Sequence, residues 1–508
     1  MNASSYRPLH DLPPLAGLAT FEEAQRPGLS IEECVRRLKR YHYAFKRLHE
    51  IFLARLTAEP IYELKMAFSL HAHYCAEHVT ALRQRVGEMR EPPLGLDVVP
   101  DPALEIFFDE ILAAPTTAEL LAGIYEMAVP ALIEALERHR AETNPLADQP
   151  SVRLCKFALI ELREMLDYGA RAAGKNIQHP TPNIQHPMEA SRAMPSTLAE
   201  GNTLEDGRFE REAGMARGAT PSTLLSDCLA AAGGLDGTAE KTAVVEVFPT
   251  CPFQYDKVPQ RDARFPDPYN MGVNAEAFLY DASQPVEPKV LMMFYKRLRE
   301  IDVPEMMASI ITETRGKPWG YYRDMTRQLW DEARHAMMGE VGFVSLGVDW
   351  TKVMVNFTWS LGLNTQLTPK ERHGVLYFIE QGLMPKTGKR FEWETAQASH
   401  NKLSTLFQDY DWADEVLHAR VGRDWYVSQF ESPKDAVEYG DRAWSKVLVG
   451  WRQWRDEGLT QHRNWWPDVY TNYCAAQGIE PDPAVLAFSE TYEQKRADLK
   501  QVAHAASA

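Results

Sequence analysis

Cysteine is scarce: the 508 residues hold six, Cys34, Cys75, Cys155, Cys228, Cys251 and Cys474, scattered with no Cys-x-x-Cys pair. That usage suits reduced thiols in a cytoplasm and gives no disulfide framework. No apolar run approaches the ~20 residues that a membrane-spanning helix needs. Met1 to Leu15 carries Arg7, His10, Asp11 and several prolines in place of a continuous apolar stretch, so it does not read as a signal peptide. Long basic runs are missing too, and Asp+Glu 71 against Lys+Arg 55 gives a formal net charge of -16. Such a balance disfavours a nucleic-acid or anionic-membrane surface. Strand-like alternation is nearly absent, apart from Ala243 to Phe248. These absences together describe a soluble, cytoplasmic, all-α protein with no nucleic-acid or membrane partner.

What is present is helical periodicity, in a chain that is 45% hydrophobic and long enough for two or three domains. Ser30 with Glu33 forms a capping box for a helix through Leu56, and a second helix follows Pro60. Thr116 and Glu119 cap another, in which Pro130 is expected to introduce a kink. Residues 30–174 therefore read as one helical bundle. Residues 175–260 change character, with a tandem Asn-Ile-Gln-His-Pro and many Gly, Ser, Thr and Pro residues. They read as a flexible linker with one short helix near Ser222 to Ala232. Helices resume in 261–431, where Leu291 to Ile301 and Pro304 to Thr314 form one kinked helix or a pair. A helical C-terminal extension, 432–508, is rich in tryptophan and expected to pack on the bundle.

The chemistry concentrates in two similar stretches. Trp330-Asp331-Glu332-Ala333-Arg334-His335 lies in a proline-free helical run, and Glu332 and His335, three apart, project from one face. Asp414-Glu415-Val416-Leu417-His418 repeats the pattern. A carboxylate and an imidazole so placed can share a metal ion. Four-helix di-metal carboxylate sites use two Glu-x-x-His helices plus one Glu from each of two others. Glu305, 27 residues before Glu332, and Glu380, 35 before Glu415, fill those two roles, with Glu300 and Glu371 as the alternatives. The expected ligands are Glu305, Glu332, His335, Glu380, Glu415 and His418. Carboxylates are hard and able to bridge, and imidazoles add neutral nitrogen donors suited to iron or manganese. Asp331 and Asp414 could orient a ligand or pair with an arginine.

The first half echoes these separations. Glu50 to Glu77 spans 27 residues and Glu126 to Glu161 spans 35, with Thr80 and Glu164 where the histidines would stand. This reads as a duplication whose first copy is degenerate. His73 and Glu77 share a helix face and leave a rescued metal site open as an alternative.

Glu305, Tyr322-Arg323-Asp324 leading into Asp331 to His335, Ile379-Glu380-Gln381-Gly382-Leu383 and Asp414 to His418 resemble the ferritin-like di-iron carboxylate superfamily, in particular its bacterial members of unknown function. The resemblance covers about a quarter of the chain. It implies two ferritin-like bundles in tandem and a non-haem centre of two iron ions, or of iron and manganese, that activates dioxygen. The partners it implies are dioxygen, a small-molecule substrate and an electron donor, with a homodimer possible. A di-iron oxidase or oxygenase is the leading expectation. A ferroxidase-like metal-binding protein and a non-catalytic helical scaffold are the alternatives.

Overall fold

Helix α1 (Ile31–Leu56) starts where Ser30 accepts the backbone N–H of Glu33. The expected capping box is only half made, because the Glu33 carboxylate turns instead to Arg36 and Arg37. In the computed structural model, residues 8–89, 95–173, 221–242, 253–270, 272–356, 358–384, 388–448 and 451–491 are described. Among them the secondary structure is helical, with one isolated antiparallel bridge between Val273 and Thr491. The all-α class expected from the sequence holds. The alternating stretch Ala243 to Phe248 and the tandem Asn-Ile-Gln-His-Pro copies lie outside the described residues. No helix is long and apolar enough to cross a membrane among those described.

In the first half, α1 packs along α2 (Tyr62–Glu88), and α3 (Pro102–Leu112) leans on α1. Next come α4 (Val129–Glu142) and α5 (Gln149–Ala173), which pack on each other, with α5 also touching α2. At Pro130 the structure shows a change of helix type where a kink was expected. The proline cannot donate to the carbonyl of Glu126, and the turn just before α4, Ala122–Ala128, widens into a π-helix. The short helix expected in the linker is α6 (Pro221–Ala231), and it packs on α3. Arg40 on α1 donates to the carbonyls of Ala232, Gly234 and Leu235 just beyond it. This part of the intervening segment is thus bound to the first half.

In the second half, α7 (Val286–Leu298) continues through a 3-10 turn, Arg299–Ile301, into α8 (Asp302–Glu313). Pro304 has no N–H for the carbonyl of Glu300, which explains a tightened turn at that point. Helix α9 (Trp319–Ser345) returns antiparallel, followed by α10 (Thr358–Gln366), α11 (Pro369–Leu383), α12 (Lys389–Ala398) and α13 (Lys402–Trp425). Beyond them α14 (Pro433–Leu448) lies along α11, and α15 (Trp466–Gln477) belongs to a second apolar cluster with Trp465, Tyr295 and Phe278.

The two halves are fused through apolar surface. Helix α2 packs on α9 and α1 on α8, and one cluster of buried side chains runs from Leu38 and Phe52 through Met307 and Leu329 to Trp444. A shared core of this kind holds the halves in register, so the linker does not separate two independent bodies.

Candidate metal centre

Two helices carry the core of the site. Glu332 and His335 sit on the inner face of α9, and Glu415 and His418 on that of α13, all at most 2% exposed. Glu332 lies between both imidazoles: one oxygen is 3.5 Å from His335 Nδ1 and the other 3.2 Å from His418 Nδ1. The two rings are 6.0 Å apart. Glu380 on α11 completes one half of the site, its carboxylate 3.9 Å from His418 Nδ1. Ligand atoms of Glu332, Glu380, Glu415 and His418 all fall within 4.8 Å of one another, and so do those of a second group, Glu300, His335, Asp411 and Glu415. The structure therefore brings together five of the six expected residues around two adjacent positions.

Glu305 is the exception. It lies on α8, five residues or roughly 140° of helix turn beyond Glu300, and faces the other way. It is fully buried against Lys65 of α2 (2.7 Å), Arg261 (3.0 Å) and Ser360 (2.6 Å). Burial alone would raise its carboxyl, but Arg261 and Lys65 outweigh it and keep it ionised. Its place is taken by Glu300, in the 3-10 turn, 3.3 Å from His335 Nδ1. The other alternative, Glu371, caps α11 with Thr368 and pairs with Lys446.

Close helix packing makes this geometry possible. Gly339 stands one turn after His335, and a Cβ there would fall on the backbone of Leu298 at the end of α7. Gly422 stands one turn after His418, where a Cβ would fall on the ring of Tyr377. Both Glu-x-x-His pairs are thus followed by a glycine that admits the neighbouring helix, bringing the Glu300 turn towards α9 and α11 towards α13.

Each outer glutamate has one oxygen held by the protein and one left over. Glu300 Oε1 is taken by Arg297 (2.8 Å), Glu380 Oε1 by Gln328 (3.2 Å) and Glu415 Oε1 by Lys389 (2.9 Å). The Oε2 atoms of all three, and Nδ1 of both histidines, are buried without a hydrogen-bond partner. Buried polar atoms are rarely left so, and five that converge suit metal ligation. The residues present fit a pair of divalent ions.

On their outer side the histidines are held crosswise. His335 Nε2 donates to Asp414 at 3.1 Å, and His418 Nε2 is 3.5 Å from Asp331. Arg334 bridges both aspartates, and Arg327 also pairs with Asp331. Burial opposes charge on His335, yet Asp414, Glu300 and Glu332 push it up to about 10. His418 is driven up in the same way, against burial, by Asp331, Glu332 and Glu415. Burial and the facing Glu415 raise the Glu380 carboxyl well above the carboxylate range. A metal pair would replace the protons that these groups hold.

Three residues at the site escape a search for Glu-x-x-His. Asp411 precedes Glu415 by one turn on the same face of α13, a spacing that could have flagged it. Arg297 and Lys389, each 1% exposed, both pair with Asp411, and nothing local in the sequence distinguishes them from surface cations. They offset part of the carboxylate charge before any metal enters.

Glu300, Glu332, Glu380 and Glu415 also form one wall of a cavity of about 410 Å³. Its remaining surface is mainly apolar, from Val303, Met306, Leu363, Leu376, Ile379 and the stacked pair Trp359 and Trp444, whose centroids are 4.0 Å apart, with a charged side formed by Glu276, Lys296, Arg299 and Asp302. Trp444 comes from the C-terminal extension, which thus helps to shape the site.

Among the described residues of the first half, the carboxylates of the echoed separations do not converge, and a different buried group, Cys34, His139 and Asp148, is the one there close enough to share an ion. Glu77 pairs with Arg323, Glu161 with His78 at 2.6 Å and Glu50 with Arg47, while Glu126 is exposed. His71 is spent on Tyr125. With Glu300 in place of Glu305, the 27-residue separation behind the duplication also loses its counterpart at the site. No family model, curated protein or solved structure matches the chain, so the functional reading rests on this geometry.

Proposed function

We propose that the chain is a di-metal carboxylate oxidase or oxygenase of ferritin-like type, holding two iron ions, or iron and manganese, and acting with dioxygen on a small, largely apolar organic molecule. The observation that carries this is the apolar cavity sharing a wall with the four glutamates. A mainly apolar chamber of this size, floored by the carboxylates, suits an organic substrate.

Glu300 and His335, with Asp411 and Glu415 beside them, would hold one ion. Glu380, His418 and Glu415 would hold the other, and Glu332 would span both. Bound there, the ions supply dioxygen binding and the electron-transfer chemistry of the reaction. The protein orients the donors through Asp331 and Asp414 and offers the stacked Trp359 and Trp444 as apolar surface for the substrate. Electrons come from an external donor.

The test is metal content after growth in iron-supplemented medium, followed by dioxygen uptake with a panel of hydrophobic substrates. About two metal ions per chain in the wild type, and far fewer in Glu332→Ala, is the expected result. A metal-free wild type indistinguishable from Glu332→Ala would overturn the reading. Stimulation of uptake by an apolar compound, lost when Leu376 is enlarged to Trp or Trp359 is replaced by a charged residue, supports the organic substrate over a ferroxidase.

A further inference from the structure

A second cavity, of about 660 Å³, lies on the far side of α8 and α9, where the two halves meet. Its walls come from α1, the end of α2 (Arg83), Tyr255, and the turn from α8 into α9 that carries Arg315, Lys317 and Trp319. None of the residues placed at the metal centre lines it.

Its charge is unusual for an acidic chain. Lys46, Arg83, Arg315 and Lys317 face the cavity together with only Glu50 and Asp97. Asp97 is already shared by Lys46 (3.2 Å) and Arg83 (3.6 Å), and Glu50 is held by Arg47 (3.3 Å). No described carboxylate lies within 4 Å of Arg315 or Lys317, which flank Gly316 in an exposed turn at the rim. Two neighbouring cations on a turn, Arg315 with Glu50 acting on it only through space and Lys317 5.8 Å from the Tyr321 ring centroid, match a dianion such as a phosphate group.

Deeper in, the lining turns aromatic and then polar. Trp319 is fixed by its N–H to Thr80 (2.9 Å) and stands beside Tyr322, with ring centroids 6.0 Å apart. His49 is only 2% exposed. Its Nε2 meets Thr326 at 2.8 Å, while its Nδ1 has no partner, and Thr312 Oγ1, also buried in the lining, has none either. Burial lowers the imidazole to about 3, so the ring is neutral and can serve a neutral ligand edge. Buried atoms of this kind are normally satisfied, and here a ligand could satisfy both.

We infer that this cavity binds a planar heteroaromatic ring carrying a phosphate, a molecule of mononucleotide size. The phosphate sits between Arg315 and Lys317. The ring lies against Trp319 and Tyr322, with its polar edge towards His49 and Thr312. The volume falls within the range of small-ligand sites, about 300–1,000 Å³, and the aromatic faces favour stacking.

Calorimetric titration of the full-length protein with AMP, FMN, adenosine and inorganic phosphate tests this. At least one of AMP and FMN should bind at least tenfold tighter than both adenosine and phosphate. The double variant Arg315→Ala/Lys317→Ala should lose at least tenfold of that affinity, together with much of its dependence on salt. Both positions are on the surface turn, so folding is retained and circular dichroism confirms it. His49→Phe should weaken binding with no change in metal content, which separates this site from the carboxylate centre. The inference is overturned if neither nucleotide outcompetes adenosine and phosphate, or if the double variant binds as the wild type does.

Discussion

His335 on α9 donates Nε2–H to Asp414 on α13, while His418 on α13 faces Asp331 on α9. The aspartate preceding each Glu-x-x-His pair thus serves the imidazole of the other helix. At His335 the hydrogen bond on the outer nitrogen fixes the tautomer, leaves the Nδ1 lone pair directed inwards and raises the donor strength of the ring, while His418 Nε2 faces the Asp331 charge without a hydrogen bond. The crossing also ties the orientation of each half-site to the spacing of the two helices. Replacing Asp414 by Asn keeps the shape but removes the charge. We expect Asp414→Asn to weaken metal binding by about 10–100-fold, with helix content unchanged, as read by competition with a calibrated chelator. Equal affinity in wild type and variant would remove the orienting role.

The glycines one turn after each histidine give the second prediction. A methyl group at Gly339 collides with the backbone of Leu298, which cannot rotate away as a side chain could. Helix α7 must then move outwards and take the Glu300 turn with it. Gly339→Ala should cost about 1–3 kcal/mol of stability, as overpacking does, and should lower metal occupancy at the His335 position before the His418 position. Gly422→Ala meets a ring, that of Tyr377, which can give more easily, so its cost should be smaller. Denaturant melts and metal titrations of the two variants check the order.

How much of this was legible in the sequence follows from the range of each signal. The paired Glu-x-x-His motifs are local: four residues on one helix face need no tertiary information, and Glu332, His335, Glu415 and His418 lie together as that pattern implies. Glu380 was found through spacing, and α11 happens to present it inwards. Spacing failed for Glu305, because the proline at 304 tightens the preceding turn and exchanges which glutamate points at α9. The phase of a kinked helix depends on its packing, which no count of residues reveals. Arg297, Lys389 and Trp444 were invisible for a related reason, since they reach the site from helices whose mutual placement is tertiary, whereas Asp411, one turn before Glu415 on α13, could have been read from its spacing. The helical class was readable throughout. Whether the two bundles move on the linker or are held by an apolar interface is open in the sequence, and the faces of α1 and α2 buried against α8 and α9 favour the second.

Glu300 and Glu305 should separate cleanly by experiment. Removing Glu305 leaves Lys65 and Arg261 buried without their shared carboxylate, although Asp302 still pairs with Arg261. Breaking a buried pair costs about 3–5 kcal/mol. Glu305→Ala should therefore be strongly destabilised, while its folded fraction still takes up metal. Glu300→Ala removes a proposed ligand that is 16% exposed at the side chain and should show the reverse: a milder loss of stability and impaired metal uptake. A Glu305→Ala protein that folds normally but binds no metal would restore Glu305 to the centre.

Acid sensitivity tests the charged framework around the site. Glu392 on α12 is completely buried, paired with Lys296 and hydrogen-bonded by Tyr280 (3.0 Å) and Gln408 (3.1 Å). Burial would raise its carboxyl, but Lys296, Lys389 and Arg297 outweigh burial and hold it down at about 2, against an ordinary value of 4.5. A carboxyl whose pKa is lower in the folded state stabilises the fold at pH values above 4.5, and that contribution is lost as pH falls from 4.5 towards 2. In Glu392→Gln this titration is gone, and Lys296 keeps only Glu276, 3.6 Å away, as a partner. The variant should be less stable than the wild type by about 3–5 kcal/mol at pH 7, with the difference shrinking steadily below pH 4.5. Urea melts of both proteins at pH 7 and pH 3 decide the point, and a gap of constant size would show that the Lys296 pair does not hold Glu392 ionised.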